Sequence, residues 1–180
     1  MLETLMKVLP PHREPIETTG NMSWDEVEAA LSTPLPADYK AFIATYGTGS
    51  VGEFMAIYNP FSRNPHLNLI TRAQKELTDM RHVRETMPDV WDYPYTIFPE
   101  ENGTLPCGST ENGEFIYWQT GGTPDQWTIA LFHPRYSEYE DYPCSLTVYL
   151  EKLATRQIVS TQFPSAGPFN FFRKFDEHGL

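Results

Sequence analysis

The stretch FIATYGTGSVGEFMAIY, residues 42–58, decides how the first half of the chain folds. It contains Gly47, Gly49 and Gly52 in the spacing G-x-G-x-x-G. In a dinucleotide-binding loop this pattern follows a strand and opens a helix, whose N-terminus then meets the pyrophosphate. Here a helix-like pattern precedes the glycines and a strand-like run, EFMAIYNP, follows them. Because the order is reversed, the glycines predict a helix end and a turn into a strand, not a nucleotide-binding site.

Two short helices are predicted before the glycines. Ser23 followed three residues later by Glu26 is a capping box, which opens the first helix. Pro36 suits the first turn of the second helix, and Gly47 suits its left-handed C-terminal cap. Each helix has apolar residues at helical spacing, which predicts one buried face. These residues are Trp24, Val27 and Leu31 in the first helix, and Tyr39, Phe42, Ile43 and Tyr46 in the second.

A longer helix is predicted over residues 66–87, ended by Pro88. Its charged residues form i, i+4 pairs, which are typical of a solvated face, and His82 is interpreted as part of that face. The buried stripe is expected at Ile70, Ala73, Leu77, Met80 and Met87. The charged pairs are Arg72–Glu76, Lys75–Asp79 and Arg81–Glu85.

The second half of the chain changes to short aromatic and β-branched runs, the pattern of successive strands. The predicted strands are YPYTIFP (93–99), EFIYWQT (114–120) and WTIALFHP (127–134), joined by the turn segments EENGTLPCGSTENG (100–113) and GGTPDQ (121–126). The apolar run 128–132 predicts a strand covered on both faces. CSLTVYLEKLATRQ (144–157) returns to helical spacing, with Leu146, Tyr149, Leu150 and Leu153 on one face.

This order of elements predicts an α+β fold: a single domain with a mostly antiparallel or mixed β-sheet packed against several helices. Residues 1–22 are expected to be an irregular lead-in broken by prolines, and residues 23–158 to form the domain. Residues 159–180 form a Phe-rich tail. We expect it to pack on the domain, because many exposed rings favour aggregation. The rings are those of Phe163, Phe169, Phe171, Phe172 and Phe175.

The composition limits the classes of partner. A net charge of -11 over 180 residues repels nucleic-acid phosphates and anionic lipid, and it favours either a basic partner or simple solubility. No run reaches the roughly 18 apolar residues of a membrane helix, and the first residues lack the features of a signal peptide. We therefore expect a cytoplasmic protein with neither a membrane nor a direct nucleic-acid partner. Cys107 and Cys144 are expected to be reduced thiols.

Motifs of known catalytic chemistry are absent from the sequence, which contains no G-x-S-x-G, P-loop or H-E-x-x-H pattern. The five histidines lie singly, without the spacing of metal ligands. A cysteine–histidine pair that meets only in space stays open, but neither cysteine has a basic context that lowers a thiol pKa. The sequence therefore predicts no catalytic residue, no metal and no cofactor.

Acidic residues interleaved with tyrosines are the most distinctive feature, above all in RYSEYEDYP, residues 135–143, which is read as a loop. Tyrosines are rigid interface anchors, and carboxylates among them attract a basic surface. Turns after successive strands are expected to gather at one edge of the sheet. An ordinary acidic loop with its tyrosines packed downward stays open as the alternative. The predicted partner-binding residues are Glu111, Glu114, Asp125, Tyr136, Glu138, Tyr139, Glu140, Asp141 and Tyr142.

Three segments together resemble the SUKH superfamily. They are residues 23–52, with a Trp/Glu-bearing helix, a Leu-Pro-x-x-Tyr start and a Gly-rich exit; residues 105–132; and residues 145–158, which resemble the closing helix. The motif residues of the middle segment are Gly108, Thr110, Asn112, Gly113, Trp118, Thr120, Pro124, Asp125 and Trp127. The resemblance implies mainly structural roles for them, with Trp118 and Trp127, together with Trp24, in the core.

The resemblance implies a binding domain. Bacterial members of the superfamily are mostly immunity proteins encoded beside polymorphic toxins, whose toxic domains are often nucleases, and fungal relatives are adaptors in cell-wall signalling. The family has no accepted catalytic residues to carry over. We therefore expect a non-catalytic immunity protein that neutralises a basic cognate toxin domain through the acidic, aromatic residues. The alternatives are a cytoplasmic regulatory or scaffold module, or an enzyme with a deep polar pocket.

Overall fold

The computed structural model describes residues 2–163 and 169–175. In that part of the chain, five α-helices and seven strands confirm the predicted α+β class. The helices are α1 (Leu2–Val8), α2 (Trp24–Leu31), α3 (Ala37–Tyr46), α4 (Leu69–Thr86) and α5 (Leu146–Ala154), and the short 3-10 helices are Pro88–Val90 and Pro124–Gln126. The strands are β1 (Gly49–Val51), β2 (Met55–Ile57), β3 (Thr104–Thr110), β4 (Phe115–Gln119), β5 (Thr128–His133), β6 (Glu138–Tyr142) and β7 (Phe172–Lys174).

The capping box and the buried stripe before the glycines are confirmed. The backbone N–H of Ser23 donates to Glu26 Oε2 at 2.7 Å, and the N–H of Glu26 donates to Ser23 Oγ at 3.3 Å. This reciprocal pair satisfies two backbone donors at the start of α2. All four predicted stripe residues of α3, namely Tyr39, Phe42, Ile43 and Tyr46, are buried.

Gly47 ends α3 as predicted, and its N–H donates to the carbonyl of Ile43, but with φ 65° and ψ -143° it is not in the predicted left-handed helical conformation. A Cβ at this position would lie 1.9 Å from the carbonyl oxygen of Ile16, so only glycine fits the close approach of the two backbones. The chain then enters the hairpin of β1 and β2. The three glycines therefore lie at the end of a helix and in a hairpin.

The strands form one antiparallel sheet in the order β6-β5-β4-β3-β2-β1-β7. Strands β3 to β6 follow each other as a meander, so their turns lie alternately at the two ends of the sheet. Side chains alternate between its faces. One face carries Trp118, whose ring lies 4.9 Å from Tyr39 of α3. The other carries Tyr117 and Ala130, which pack with Tyr93.

Two predictions in the middle of the chain are wrong. Residues 93–99 do not form a strand: only Ile97 makes a bridge, to Thr104, and Pro94 and Pro99 cannot donate a backbone hydrogen bond. The predicted turn 100–113 instead contains β3, a central strand of the sheet. Its pairing with β4 shifts between Pro106 and Gly108, so the strand tolerates the proline at an irregularity.

The long helix is confirmed with shorter bounds, Leu69–Thr86, but part of its predicted surface is wrong. Met87 lies beyond the helix and is 49% exposed. Glu76, predicted on the wet face, is buried beside Arg72. Lys75 and Asp79 do form an exposed i, i+4 pair at 2.5 Å.

Arg81, also predicted in an i, i+4 pair with Glu85, instead donates to the carbonyl of Phe98.

The remaining predicted core elements agree with the structure. Strand β5 is buried at its centre, from Ile129 to Leu131. All four predicted apolar residues of α5 are buried. Trp118 and Trp127 belong to the core, and Trp24 packs against it half-buried.

The N-terminal segment is not irregular throughout, because α1 precedes the prolines. Leu5 and Leu9 are fully buried, and α1 packs against α5. Pro10 comes only after this helix, so it ends the helix rather than preventing it. The hydroxyl of Tyr46 donates to the carbonyl of Leu9 at 2.6 Å, which ties the segment to α3.

Part of the Phe-rich tail adds a strand to the sheet, since β7 pairs with β1. Phe172 is buried against Tyr46, and Phe163 and Phe169 pack around Phe54. Phe171 and Phe175 are half-buried. Residues 164–168 and 176–180 of the predicted tail lie outside the described residues, and the domain boundary at residue 158 stays a prediction.

Candidate functional site

Residues 138–142 form strand β6, so the prediction of a loop for this acidic segment is wrong. β6 pairs with β5 along its whole length, from His133 opposite Glu138 to Ile129 opposite Tyr142. Glu and Asp have low strand propensity, but pairing with a neighbouring strand overrides such preferences. The candidate residues therefore lie on a regular hairpin with a fixed register.

β6 is the outer strand of the sheet, and no other strand of the described chain pairs with its free side. The backbone groups of an edge strand can pair with another chain, and charged side chains at the edge discourage this. Glu138 and Asp141 are exposed on β6. The edge therefore repels another acidic strand and remains open to a basic one.

Four of the predicted residues are exposed on the β5–β6 hairpin: Tyr136 in its turn, Tyr139 and Asp141 on one face of β6, and Glu138 on the other face. Tyr136 is 62% exposed and Tyr139 is 51% exposed, and Glu138 and Asp141 are exposed as well. We call Tyr136, Glu138, Tyr139 and Asp141 the acidic hairpin surface. The ring of Tyr136 lies 4.6 Å from that of His133.

Asp141 is held in place by two donors that the sequence did not indicate as partners. The hydroxyl of Tyr95 donates to Asp141 Oδ1 at 2.6 Å, and Gln119 Nε2 donates to the same oxygen at 2.8 Å. Thr128 in turn donates to Gln119 Oε1. Burial, together with the bond to Asp141, raises the pKa of Tyr95, so its hydroxyl remains a donor.

Tyr95 could have been found from the alternation of Trp91, Tyr93 and Tyr95. Tyr93 stacks on the sheet face with its ring 4.9 Å from Phe132, and the ring of Tyr95 lies 5.9 Å from Tyr139. The period-two pattern that predicted a strand thus marks an extended segment whose rings pack on the sheet.

Glu140 and Tyr142 lie on the face of β6 opposite to Tyr139 and Asp141, and both form hydrogen bonds within the chain. Tyr142 donates to Glu140, and its ring lies 4.9 Å from Tyr149 of α5. Glu140 Oε1 also accepts from the N–H and the hydroxyl of Thr161, at 2.9 and 2.7 Å. Burial opposes ionisation of Glu140, but hydrogen bonds from Tyr142, Thr161 and Ser160 outweigh it and lower the pKa of the carboxyl.

Glu114 does not lie on the surface of a turn, as the sequence indicated: it is 1% exposed. Its carboxylate accepts from Thr110 and lies 3.8 Å from His133 Nε2. Burial raises the pKa of this carboxyl. These contacts of Glu114 fix the β3–β4 turn to the end of β5.

The predicted turns do not all gather at one edge. Glu111, in the β3–β4 turn, is exposed at the same end of the meander as Tyr136. Asp125, in the β4–β5 connection, lies at the other end, because alternate turns of a meander are opposed. Asp125 Oδ1 accepts from the N–H of Ala37 at 2.8 Å and so caps the start of α3.

Both cysteines have raised thiol pKa values caused by burial, which disfavours the thiolate needed for nucleophilic attack. Cys107 is fully buried and Cys144 is half-buried. Among residues 2–163 and 169–175, no group of three or more His, Cys, Asp or Glu side chains could hold a metal ion. Likewise, none of the helices described is long and apolar enough to cross a membrane.

The comparisons with known proteins support the resemblance seen in the sequence. A family model described as SMI1-KNR4 cell-wall, of the SUKH group, matches residues 21–150, well over half of the chain. No curated protein and no solved structure matches the chain. The matched residues cover α2 to α4, the first part of α5 and the strands from β1 to β6, and the chain therefore belongs to the SUKH superfamily.

Proposed function

We propose that this protein is a non-catalytic immunity protein that acts in the cytoplasm, where it binds and neutralises a basic toxin domain. The observation that carries the proposal is the acidic hairpin surface, where two exposed tyrosines and two exposed carboxylates lie on the turn and on both faces of one hairpin at the edge of the sheet. Membership of the SUKH superfamily adds support, because a protein partner is the expectation for this family.

The charge of the surface favours a toxin with a basic active site. A nuclease must hold phosphates with basic groups. Carboxylates on a rigid strand can occupy such groups directly, or bind beside them and obstruct the substrate. The net charge of -11 adds a long-range field that speeds encounter with a basic partner.

The tyrosines supply the contact area that charge alone does not. Tyr136 and Tyr139 present large rings with a polar tip, and such residues dominate binding energy at protein interfaces. Tyr139 is supported from behind by Tyr95. A ring already held in place loses little entropy on binding, so the surface is pre-organised for a partner.

The alternative is a regulatory or scaffold module with an unrelated partner, which the cell-wall description of the matching family favours. The neighbouring gene separates the two proposals. A toxin with a variable C-terminal domain favours immunity, and a gene of cell-wall regulation favours the scaffold.

Co-expression with the adjacent toxin domain tests the immunity proposal. We expect the wild-type protein to restore growth of a poisoned host, and Glu138→Lys to restore it poorly. The control is Glu3→Lys, an equal charge reversal on α1 that leaves the hairpin untouched. No rescue by the wild-type protein, or equal rescue by both variants, would contradict the proposal.

A further inference from the structure

A cleft with a volume of ≈ 250 Å³ opens on the sheet face that carries Tyr117. Helix α4 forms one wall, and residues 91–93 and the β5–β6 turn form others. Five aromatic side chains line it, those of Trp91, Tyr93, Phe115, Tyr117 and Phe132. The cleft is distinct from the acidic hairpin surface but lies beside it, because Pro134 and Ser137 of the turn line its edge.

The lining rings pack against one another. The ring centroid of Tyr93 lies 5.5 Å from Trp91, 4.9 Å from Phe132 and 6.0 Å from Tyr117. The face of an aromatic ring carries negative charge, so a cation within about 6 Å of it is attracted. Several rings around one space form a site of the kind that binds an organic cation.

The charged residues of the cleft have one sign. Glu76, Asp79 and Asp92 line it, and none of the described residues that line it is basic. Asp79 also forms an ion pair with Lys75 on the exposed side of α4. A cationic group therefore complements the cleft, and an anionic group is repelled.

Glu76 contributes a carboxylate with an unused acceptor. The residue is 5% exposed, and its Oε1 accepts from the hydroxyl of Tyr58 and from the guanidinium of Arg72. Its Oε2 is buried and has no hydrogen-bond partner within the described residues. A buried carboxylate oxygen without a donor is costly, and a ligand that brings a donor relieves that cost.

We propose that this cleft binds the side chain of an arginine of the partner protein, with its guanidinium against the lining rings and on the side of Glu76. A guanidinium stacks on aromatic faces and carries several donors, which matches both features of the cleft. The volume is below the roughly 300–1,000 Å³ of pockets for drug-sized ligands, so it suits one side chain. The identity of the partner as the cognate toxin rests on the proposed function.

The first test needs no toxin. ¹⁵N-labelled protein is titrated with N-acetyl-arginine methylamide at about pH 8, where the Glu76 carboxyl is ionised. The matched control is N-acetyl-citrulline methylamide, which has the same shape without the charge. We expect saturable shifts of the Trp91 indole signal with the arginine compound only. Equal shifts with both compounds, or none at Trp91, would overturn the proposal.

A lysine compound tests the choice of arginine. N-acetyl-lysine methylamide is expected to bind more weakly, since an ammonium cannot stack on rings as a planar guanidinium does. Tighter binding of the lysine compound would overturn the assignment to arginine.

Two variants test the named groups. Glu76→Gln removes the charge, and Phe132→Leu removes one ring but keeps an apolar side chain. Each is expected to weaken binding of the arginine compound about tenfold. Circular dichroism checks that both remain folded. Unchanged affinity in both folded variants would contradict the proposal.

The same variants are then tested for binding to the adjacent toxin domain. We expect Phe132→Leu to weaken this complex. Arginine binding without any effect of Phe132→Leu on the toxin complex would overturn the assignment of the occupant. Failure of the proposed function gives a different result from failure of the cleft assignment. The wild-type protein would then not bind the toxin, but it would still bind the arginine compound.

Discussion

The hydroxyl of Tyr95 donates a 2.6 Å hydrogen bond to Asp141 Oδ1, and this bond joins an extended segment, which otherwise bridges the sheet at Ile97, to the edge strand. The ring of Tyr95 also contacts Tyr139. Two of the four residues of the acidic hairpin surface are thus positioned by one side chain. Tyr95 is a positioning residue for the proposed interface.

Tyr95→Phe removes the donor and keeps the ring. We expect a loss of about 1 kcal/mol in the free energy of unfolding, because Asp141 keeps its bond from Gln119. Urea denaturation measures the change. The control is Tyr136→Phe, whose ring is 62% exposed, and it should leave the midpoint nearly unchanged. An equal effect of the two variants would show that the Tyr95 hydroxyl contributes nothing specific.

Phe172→Ala tests whether the tail is an integral part of the core. Phe172 is 8% exposed and packs edge-on against Phe42 and Tyr46. Removing a buried ring of this kind costs about 3 kcal/mol or more. Arg173, its neighbour on β7, has an exposed ion pair with Glu53, so Arg173→Ala should cost at most about 1 kcal/mol. Thermal unfolding that does not distinguish the two variants would contradict this packing.

Glu76 makes stability depend on pH. Burial raises the pKa of its carboxyl to about 7, above the ordinary 4.5, although Arg72, Tyr58 and Lys75 act in the opposite direction. The unfolded chain therefore releases this proton first as pH rises. The contribution of Glu76 to stability should fall between about pH 4.5 and about pH 7 and then level off.

Glu76→Gln removes this titration. The free energy of unfolding of the wild-type protein relative to the variant should therefore decrease from about pH 5 to about pH 8, by roughly 2 kcal/mol. Urea denaturation at several pH values measures how this difference in the free energy of unfolding changes with pH. That change does not depend on any pH-independent loss of stability in the variant. Parallel pH profiles of the two proteins would show that Glu76 has an ordinary pKa.

The elements that the sequence predicted well are those whose signals are local. The capping box at Ser23, the stripe of α3 and the apolar run of β5 each depend on residues within a few positions of one another. Helix spacing and helix ends are determined largely by such neighbours. These elements also carry the resemblance to the SUKH superfamily, which the family match confirmed.

The errors come from contacts between distant parts of the chain. Gly103, Pro106 and Gly108 stand in or beside β3 and favour a turn, yet strands on both sides supply its pairing. The sequence predicts a loop at residues 135–143, although β5 pairs with every residue of β6. Strand formation depends on such partners, which a single sequence does not show.

The candidate site was predicted in part. Tyr136, Glu138, Tyr139 and Asp141 are all exposed on one hairpin, but the alternation of β6 places Glu138 on the face opposite to Tyr139 and Asp141. Asp125 lies at the far end of the sheet because strands β3 to β6 form a meander. Without β3, the sequence does not predict that meander. The role of these residues in binding stays a prediction.

The affinity for the adjacent toxin domain, measured by calorimetry in low and in high salt, tests the central claim most directly. The decisive variant combines Glu138→Gln with Tyr139→Ala, and the control is Glu3→Gln. We predict that the variant binds at least about tenfold more weakly in low salt and that added salt narrows the difference. Affinity equal to that of the wild-type protein in both salt conditions would show that the acidic hairpin surface is not the interface.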